Sequence, residues 1–264
     1  MRPLASMPLA VRAAMRGVLA DIDDTLSTRG RITAEAYAAM ENLRAAGLLL
    51  IPITGRPAGW CDHIARMWPV DAVVGENGAL YMLHDEGAGR LRKRYAATEA
   101  ERAANRQRVA EVAETILGEV PGAALASDQP YRESDLAIDF CEDVPRLPDG
   151  AIDRIIALMR AAGMTAKVSS IHVNGWFGAY DKLAMTRTLL RDEFDIDVDA
   201  ERDRFIFVGD SPNDAPMFEH FPYSVGVANV RAFAGRIATP PAYMTVREAG
   251  AGFAELAAHL LAAR

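Results

Sequence analysis

The strongest constraint on this chain is the six-residue apolar run Leu48-Leu49-Leu50-Ile51-Pro52-Ile53, which ends at Thr54-Gly55-Arg56-Pro57. A run without alternation has no polar face, which is the pattern of a strand covered on both sides. Upstream, Gly17-Val18-Leu19-Ala20 is a second short apolar run, halted at Asp21. Between the two, Thr33 reads as a helix N-cap with Glu35 in the first turn. Tyr37, Met40 and Leu43 follow at helical spacing, and Gly47 suits the C′ position. Strand, helix, strand is a βαβ unit, and it implies a parallel sheet.

The same grammar continues with a helix over 58–67 and a strand over 71–74. Asn77-Gly78 signals a turn, and segments 79–84 and 90–95 read as a hairpin around Gly87 to Gly89. The texture then changes. A long charged helix over 98–117 precedes strands over 123–127 and 134–140, a helix over 150–162 and a strand over 165–173. From Asp181 the βαβ grammar returns, with helices over 182–193 and 215–220, strands over 205–208, 224–227 and 243–246, and a last helix after Gly252. The expected fold class is therefore α/β, a Rossmann-like parallel-sheet core with an inserted α+β domain. The expected boundaries are 1–95 for the first part of the core, 96–175 for the insertion and 176–264 for the second part. A chain of 264 residues is long enough for two such units.

A net charge of −7 argues against a nucleic-acid partner, which requires a basic surface. Arg90, Arg92, Lys93 and Arg94 form a local basic run, best read as a solvated hairpin strand. Two cysteines, Cys61 and Cys141, are too few for a disulfide framework. No segment reaches the roughly 20 apolar residues of a membrane span, and residues 1–17 lack a continuous apolar signal-peptide core. A cytoplasmic protein with neither nucleic-acid nor membrane partner is expected, and no feature fixes an oligomeric state.

Three motifs lie at strand ends, where open α/β sheets carry their sites. In Asp21-Ile22-Asp23-Asp24-Thr25-Leu26, residues two apart share a side in extended chain, so Asp21 and Asp23 can address one substrate. In Thr54-Gly55-Arg56, a hydroxyl and backbone amides are donors suited to phosphate oxygens. The third motif is Gly209-Asp210-Ser211-Pro212-Asn213-Asp214. If the strands converge, Asp21, Asp23, Asp210 and Asp214 crowd together and need a cation. An oxygen-only donor set points to a hard ion such as Mg²⁺, and Lys182 can supply a further positive charge for phosphate.

With Lys182 as the third element, these motifs in this order resemble motifs I to IV of the haloacid dehalogenase superfamily. The long insertion resembles the type IIB cap of Cof-like, sucrose-phosphate and mannosyl-3-phosphoglycerate phosphatases, and Glu76-Asn77-Gly78-Ala79 resembles a turn common there. The resemblance implies an Mg²⁺-dependent phosphatase acting on a small phosphate ester, with a sugar phosphate or phosphorylated glycoside favoured. Asp21 is implied as the nucleophile that becomes an aspartyl phosphate, and Asp23 as its acid/base partner. Asp21, the Asp23 carbonyl, Asp210 and Asp214 are implied around Mg²⁺, and Thr54, Gly55, Lys182 and Asn213 around phosphate. Asp24 departs from the pattern, since many relatives have glycine there.

Within the insertion, Ser170, His172 and Asn174 share one face of the strand expected over 165–173. With Arg132 they are candidates for reading the substrate, Tyr131 being a weaker one. Trp176 reads as packing at the hinge, and Lys167 as a weak competitor of Lys182. Cys61 and His63 lack a second ligand pair at zinc spacing. Three rivals remain: a phosphomutase, which would keep the phosphoryl group; a dehalogenase, disfavoured because it needs neither the Asp23 acid nor a metal; and a non-catalytic phosphate-responsive binding module.

Overall fold

A computed structural model describes residues 1–169 and 171–264. Its centre is a parallel sheet of β1 (Arg2–Pro3), β2 (Gly17–Ala20), β5 (Leu49–Pro52), β13 (Phe205–Gly209), β14 (Val225–Gly226) and β15 (Tyr243–Met244). The order is β1-β15-β14-β13-β2-β5, and every pairing is parallel. Within β2, Val18 and Ala20 join one hydrophobic cluster while Leu19 joins another on the opposite face. Phe205 and Phe207 of β13 likewise oppose Ile206 and Val208. This two-sided burial is why these strands carry no polar alternation.

Helices α1 (Leu9–Ala14), α2 (Ala34–Ala45), α3 (Ala58–Met67), α6 (Lys182–Phe194), α7 (Ala215–His220) and α8 (Ala249–Leu261) accompany this sheet. Thr33 caps α2 as expected, its side chain accepting from Ala36 N at 3.2 Å. A short hairpin, β3 (Ser27–Thr28) with β4 (Arg31–Ile32), follows the first motif. A three-stranded antiparallel sheet holds β6 (Val73–Gly75), β7 (Leu80–Asp85) and β8 (Arg90–Tyr95). Three of the basic residues of β8 are ion-paired: Arg92 with Asp85 and Glu193, Lys93 with Glu133, and Arg94 with Asp192.

Between β8 and α6 the chain builds a separate antiparallel sheet in the order β11-β12-β10-β9. Its strands are β9 (Ala124–Leu125), β10 (Asp135–Asp139), β11 (Thr165–Val168) and β12 (His172–Trp176). The helices α4 (Glu99–Glu119) and α5 (Asp149–Ala161) pack on it around their own hydrophobic cluster, which includes Ile116, Leu136, Ile155 and Met159. The single strand expected over 165–173 is a correction: β11 and β12 are two antiparallel strands, with Val168 opposite Val173. Both halves have the composition of strand, and no glycine, proline or asparagine lies between them to mark a break. Among the described residues no helix is long and apolar enough to cross a membrane.

Gly78 has a φ of +104°, and a Cβ there would lie 2.1 Å from the Asp181 carbonyl oxygen, immediately before α6. Both the backbone conformation and the contact require glycine. Gly78→Ala is expected to destabilise the fold by about 3 kcal/mol or more, through strain and overpacking. Chemical denaturation of the two proteins measures it, and a loss within error of zero contradicts this packing.

Candidate active site

Strands β13, β2 and β5 are neighbours, and each of three motifs begins where one of them ends. Ala20 lies opposite both Val208 and Pro52, so Asp21, Thr54 and Asp210 leave the sheet at nearly the same level. The backbone holds this alignment: Asp21 N donates to Val208 O at 2.9 Å, and Ile53 N to Ala20 O at 2.7 Å. Convergence on one cleft is thus a consequence of strand order.

Carboxylate oxygens of Asp21, Asp210 and Asp214 lie within 4.8 Å of one another, and all three residues are buried. Lys182, in the first turn of α6, donates to Asp21 Oδ1 at 2.7 Å and to Asp214 Oδ1 at 2.9 Å. Burial alone would lower the lysine's pKa, yet Asp21 and Asp214 hold it above its ordinary value. Asp21 is pushed up to about 7, first by burial and then by Asp214 and Asp23, against the pull of Lys182. Asp210 is raised well above the usual carboxylate range, by burial and by Asp21 and Asp214. Three carboxylates against one ammonium leave a deficit of positive charge. An all-oxygen set of this kind fits a hard divalent cation such as Mg²⁺.

Around this cluster, Thr25 Oγ1 donates to Asp210 Oδ1 at 3.4 Å. Asn229 Nδ2 donates to Asp210 Oδ2 at 3.2 Å and to the Asp24 carbonyl at 2.9 Å. The amides of Asp210 and Ser211 donate to Asp214 Oδ2 at 3.2 and 3.4 Å. Asp24 has a φ of +56°, in the left-handed region that favours glycine, aspartate being among the few other residues that tolerate it.

Asp23 turns from the acid cluster toward Arg56, whose Nε lies 3.1 and 3.0 Å from its two oxygens and whose Nη2 lies 2.9 Å from Oδ1. Thr54 is fully buried, and its hydroxyl accepts from Arg56 N at 3.0 Å, closing the turn. Gly55 and Asn213 line the cleft beside Asp21, Asp23 and Asp210. Asn213 Oδ1 accepts from Ser211 Oγ at 2.6 Å.

From the insertion, His172 and Asn174 line the same cleft, with Ser169 and Ile171. Ser170 lies outside the described residues. Arg132 reaches the cleft wall, but its donors are engaged by Asp128, Asp135 and the Gly55 carbonyl. It ties the insertion to the core as well as bordering the site. Tyr131 is 58% exposed and contacts Gly59. Trp176 is buried, stacks on Tyr180 and donates to its carbonyl at 3.1 Å, as hinge packing requires. Lys167 lies opposite Asn174 in the β11–β12 pairing and is half-buried.

Sequence reasoning missed Glu76, Asp128 and Glu142 as cross-links. Glu76 is fully buried and accepts from the amides of Ala58, Glu133, Ser134 and Asp135 at 2.7 to 3.2 Å. Its only sequence signal was its place in the Glu76-Asn77-Gly78 turn. Glu142 and Asp128 sit in irregular loops and gave none.

Residues 18–104 match the family model of haloacid dehalogenase-like hydrolases. No curated protein sequence matches the chain significantly. Among solved structures, the C-terminal domain of trehalose-6-phosphate phosphatase from C. albicans is 13% identical. It has a TM-score of 0.73, and the match covers 99% of each chain. The sucrose-phosphatase of Synechocystis, solved with sucrose and phosphate, is 16% identical with a TM-score of 0.64, over 93% of this chain and 98% of that one. A subclass IIB sugar phosphatase of the same superfamily is 14% identical with a TM-score of 0.60, over 88% and 93%. At these identities the likeness establishes a shared fold, core and cap included.

The raised carboxylates set a sign for cation binding. Without a cation, Asp21 favours the protonated form, so its contribution to stability falls as pH rises from the unfolded carboxylate pKa through about 7, and Asp210, raised by burial and its acidic neighbours, acts in the same direction. Protons compete with the metal throughout that range and below it. The gain in Tm on adding Mg²⁺ over a chelator control is therefore expected to be larger at pH 8 than at pH 5. An equal or larger gain at pH 5 contradicts the assignment.

Proposed function

We propose that this haloacid dehalogenase-like hydrolase is an Mg²⁺-dependent phosphatase of a small phosphorylated metabolite, with Asp21 as its nucleophile. The observation that carries the reading is the buried Asp21–Lys182–Asp214 arrangement, with Asp210 beside it and Asp23 two residues along the chain. Lys182 occupies Asp21 Oδ1, which fixes the carboxylate and leaves its other oxygen for phosphorus. The bond from that oxygen to phosphorus forms as the ester P–O bond breaks, giving an aspartyl phosphate. Asp23 gives its proton to the departing alkoxide, then takes one from the water that cleaves the acyl phosphate.

Thr54, Gly55, Lys182 and Asn213 are assigned to the phosphoryl group, where a lysine ammonium and backbone donors offset the charge carried by the transferring oxygens. Asp21, the Asp23 carbonyl, Asp210 and Asp214 are assigned to Mg²⁺, which supplies charge neutralisation and orientation of the phosphoryl oxygens when bound. The cleft encloses only about 20 Å³, whereas sites that bury an organic ligand run to about 300 Å³ or more. The insertion, residues 96–175, therefore acts as a cap that swings aside to admit substrate and closes over it. A sugar phosphate is the favoured class. His172, Asn174 and Ser169 offer hydroxyl-reading groups, and the fold is shared with proteins named as sucrose and trehalose phosphate phosphatases.

Phosphate release from a panel of sugar phosphates and an aryl phosphate tests the reading. Turnover is expected with Mg²⁺, is lost with chelator, and falls by roughly 10³-fold or more in Asp21→Asn. No turnover on any ester by folded, metal-supplied protein overturns it. Turnover that moves phosphate between hydroxyls of one sugar, dependent on a sugar bisphosphate, assigns a mutase instead.

A further inference from the structure

Arg56 stands at the junction of the core and the insertion. Its side chain is almost fully buried, with the guanidinium 4.5 Å from the Trp60 ring centroid. Nε and Nη2 hold both oxygens of Asp23. Nη2 also donates to Glu142 Oε1 at 3.0 Å, and Nη1 to Asp128 Oδ2 at 3.3 Å. One core cation thus joins the acid/base candidate to two carboxylates carried by separate loops of the insertion.

Both loops are built to present those carboxylates. The turn after β10 hangs on the buried Asp139, whose oxygens accept from the amides of Cys141, Glu142 and Asp143 at 2.7 to 2.8 Å. The second oxygen of Glu142 lies 2.8 Å from His172 Nε2 on the neighbouring strand. Contact with His172, and then with Arg56, pulls the Glu142 carboxyl down to about 2, so it is anionic throughout the working range. Asp128 is fixed by Arg132 through two contacts at 3.0 and 3.1 Å.

We propose that Arg56 is a positioning residue that aims Asp23 at the leaving group, and that Glu142 is the cap's grip on it. Cap closure and the aim of the acid are then set by the same guanidinium. The planar fork accepts Asp23 in one orientation only, and the added bonds to Glu142 and Asp128 fix the fork itself when the cap is shut. When the cap opens, Glu142 and His172 withdraw together, and Arg56 loses the partners that hold its plane. A lysine keeps the charge at this position but not the two-toothed geometry.

The inference rests on the phosphatase reading, and the test separates the two. Protonation of the leaving oxygen matters for an alkoxide and little for nitrophenolate, which departs unprotonated as the P–O bond breaks. kcat/KM reports the step that forms the aspartyl phosphate, so it isolates this proton transfer. Wild-type turnover of both an alkyl (sugar) phosphate and nitrophenyl phosphate is measured first, and its absence bears on the phosphatase reading. In Arg56→Lys, kcat/KM for the alkyl ester is expected to fall about 100-fold and that for the nitrophenyl ester by less than about 10-fold. Glu142→Gln is expected to give the same pattern at about 10-fold on the alkyl ester. A merely structural role lowers both esters alike, and equal losses, or none, overturn the proposal. Independently of turnover, Glu142→Gln is expected to raise amide hydrogen exchange across residues 140–146 at least about threefold in the free protein. Unchanged exchange there rejects the latch.

Discussion

The ammonium of Lys182 between Asp21 and Asp214 is the interaction on which the site depends. Three carboxylates converge in a region closed to water, where like charges cannot all persist without a cation. Lys182 satisfies two of them, and it does so from the first turn of α6, a helix reached only after the whole insertion has been traversed. Its placement is set by Asp181, whose side chain caps α6 by accepting from Ala184 N at 2.7 Å, and by the close approach of Gly78 to the Asp181 carbonyl. A core turn and an acid cluster from the ends of two strands are therefore locked together through one helix start. Removing the lysine would leave buried charge without compensation, which is among the costliest changes a folded protein can suffer.

A second set of charges joins the insertion to the core. Glu76 receives four backbone amides, three of them from residues 133–135, and Asp135 in turn accepts from Asn77, Asn174 and Arg132. Burial first, and then Asp135, pushes the Glu76 carboxyl up to about 7, with the amides and Arg132 opposing. These contacts lie near the hinge and use backbone donors, which favours a permanent connection. The Arg56–Glu142 contact lies at the far end of β10 and joins side chains only. Its Glu142 partner is nearly one-third exposed, so it can be remade in water at modest cost. A fixed pivot and a releasable contact are the two elements that the proposed cap closure requires.

The core was legible because its signals are local. Apolar runs without alternation identified β2, β5 and β13, and the N-cap at Thr33 located the start of α2. The order of the four motifs found the residues that now cluster around Asp21. The break between β11 and β12 was missed because two adjacent strands of similar composition look like one long strand when no glycine, proline or asparagine lies between them. Arg132 was expected to face the substrate, but its role as a cross-link depends on Asp128, Asp135 and Gly55, of which only Gly55 had been singled out. The run of basic residues in β8 was expected to be a solvated hairpin strand and is exposed; what the sequence did not show is that Arg92, Lys93 and Arg94 pair with Glu193, Glu133 and Asp192, far away in the chain.

What the sequence by itself determined is the parallel-sheet core, the position of the insertion and the chemical identity of the residues at the strand ends. Each follows from patterns a few residues long, because hydrophobic periodicity and capping act over one or two turns of chain. Tertiary structure alone decided which groups face one another across the cleft. Asp23 with Arg56, Arg56 with Glu142, and Glu76 with the amides of residues 133–135 join segments 33 to 86 positions apart. Such pairings carry no local signature, because a charged side chain in a loop has the same propensity whether it meets solvent or a buried counter-charge. Only the packing of the core and of the insertion, which have separate apolar clusters, brings those partners within bonding distance.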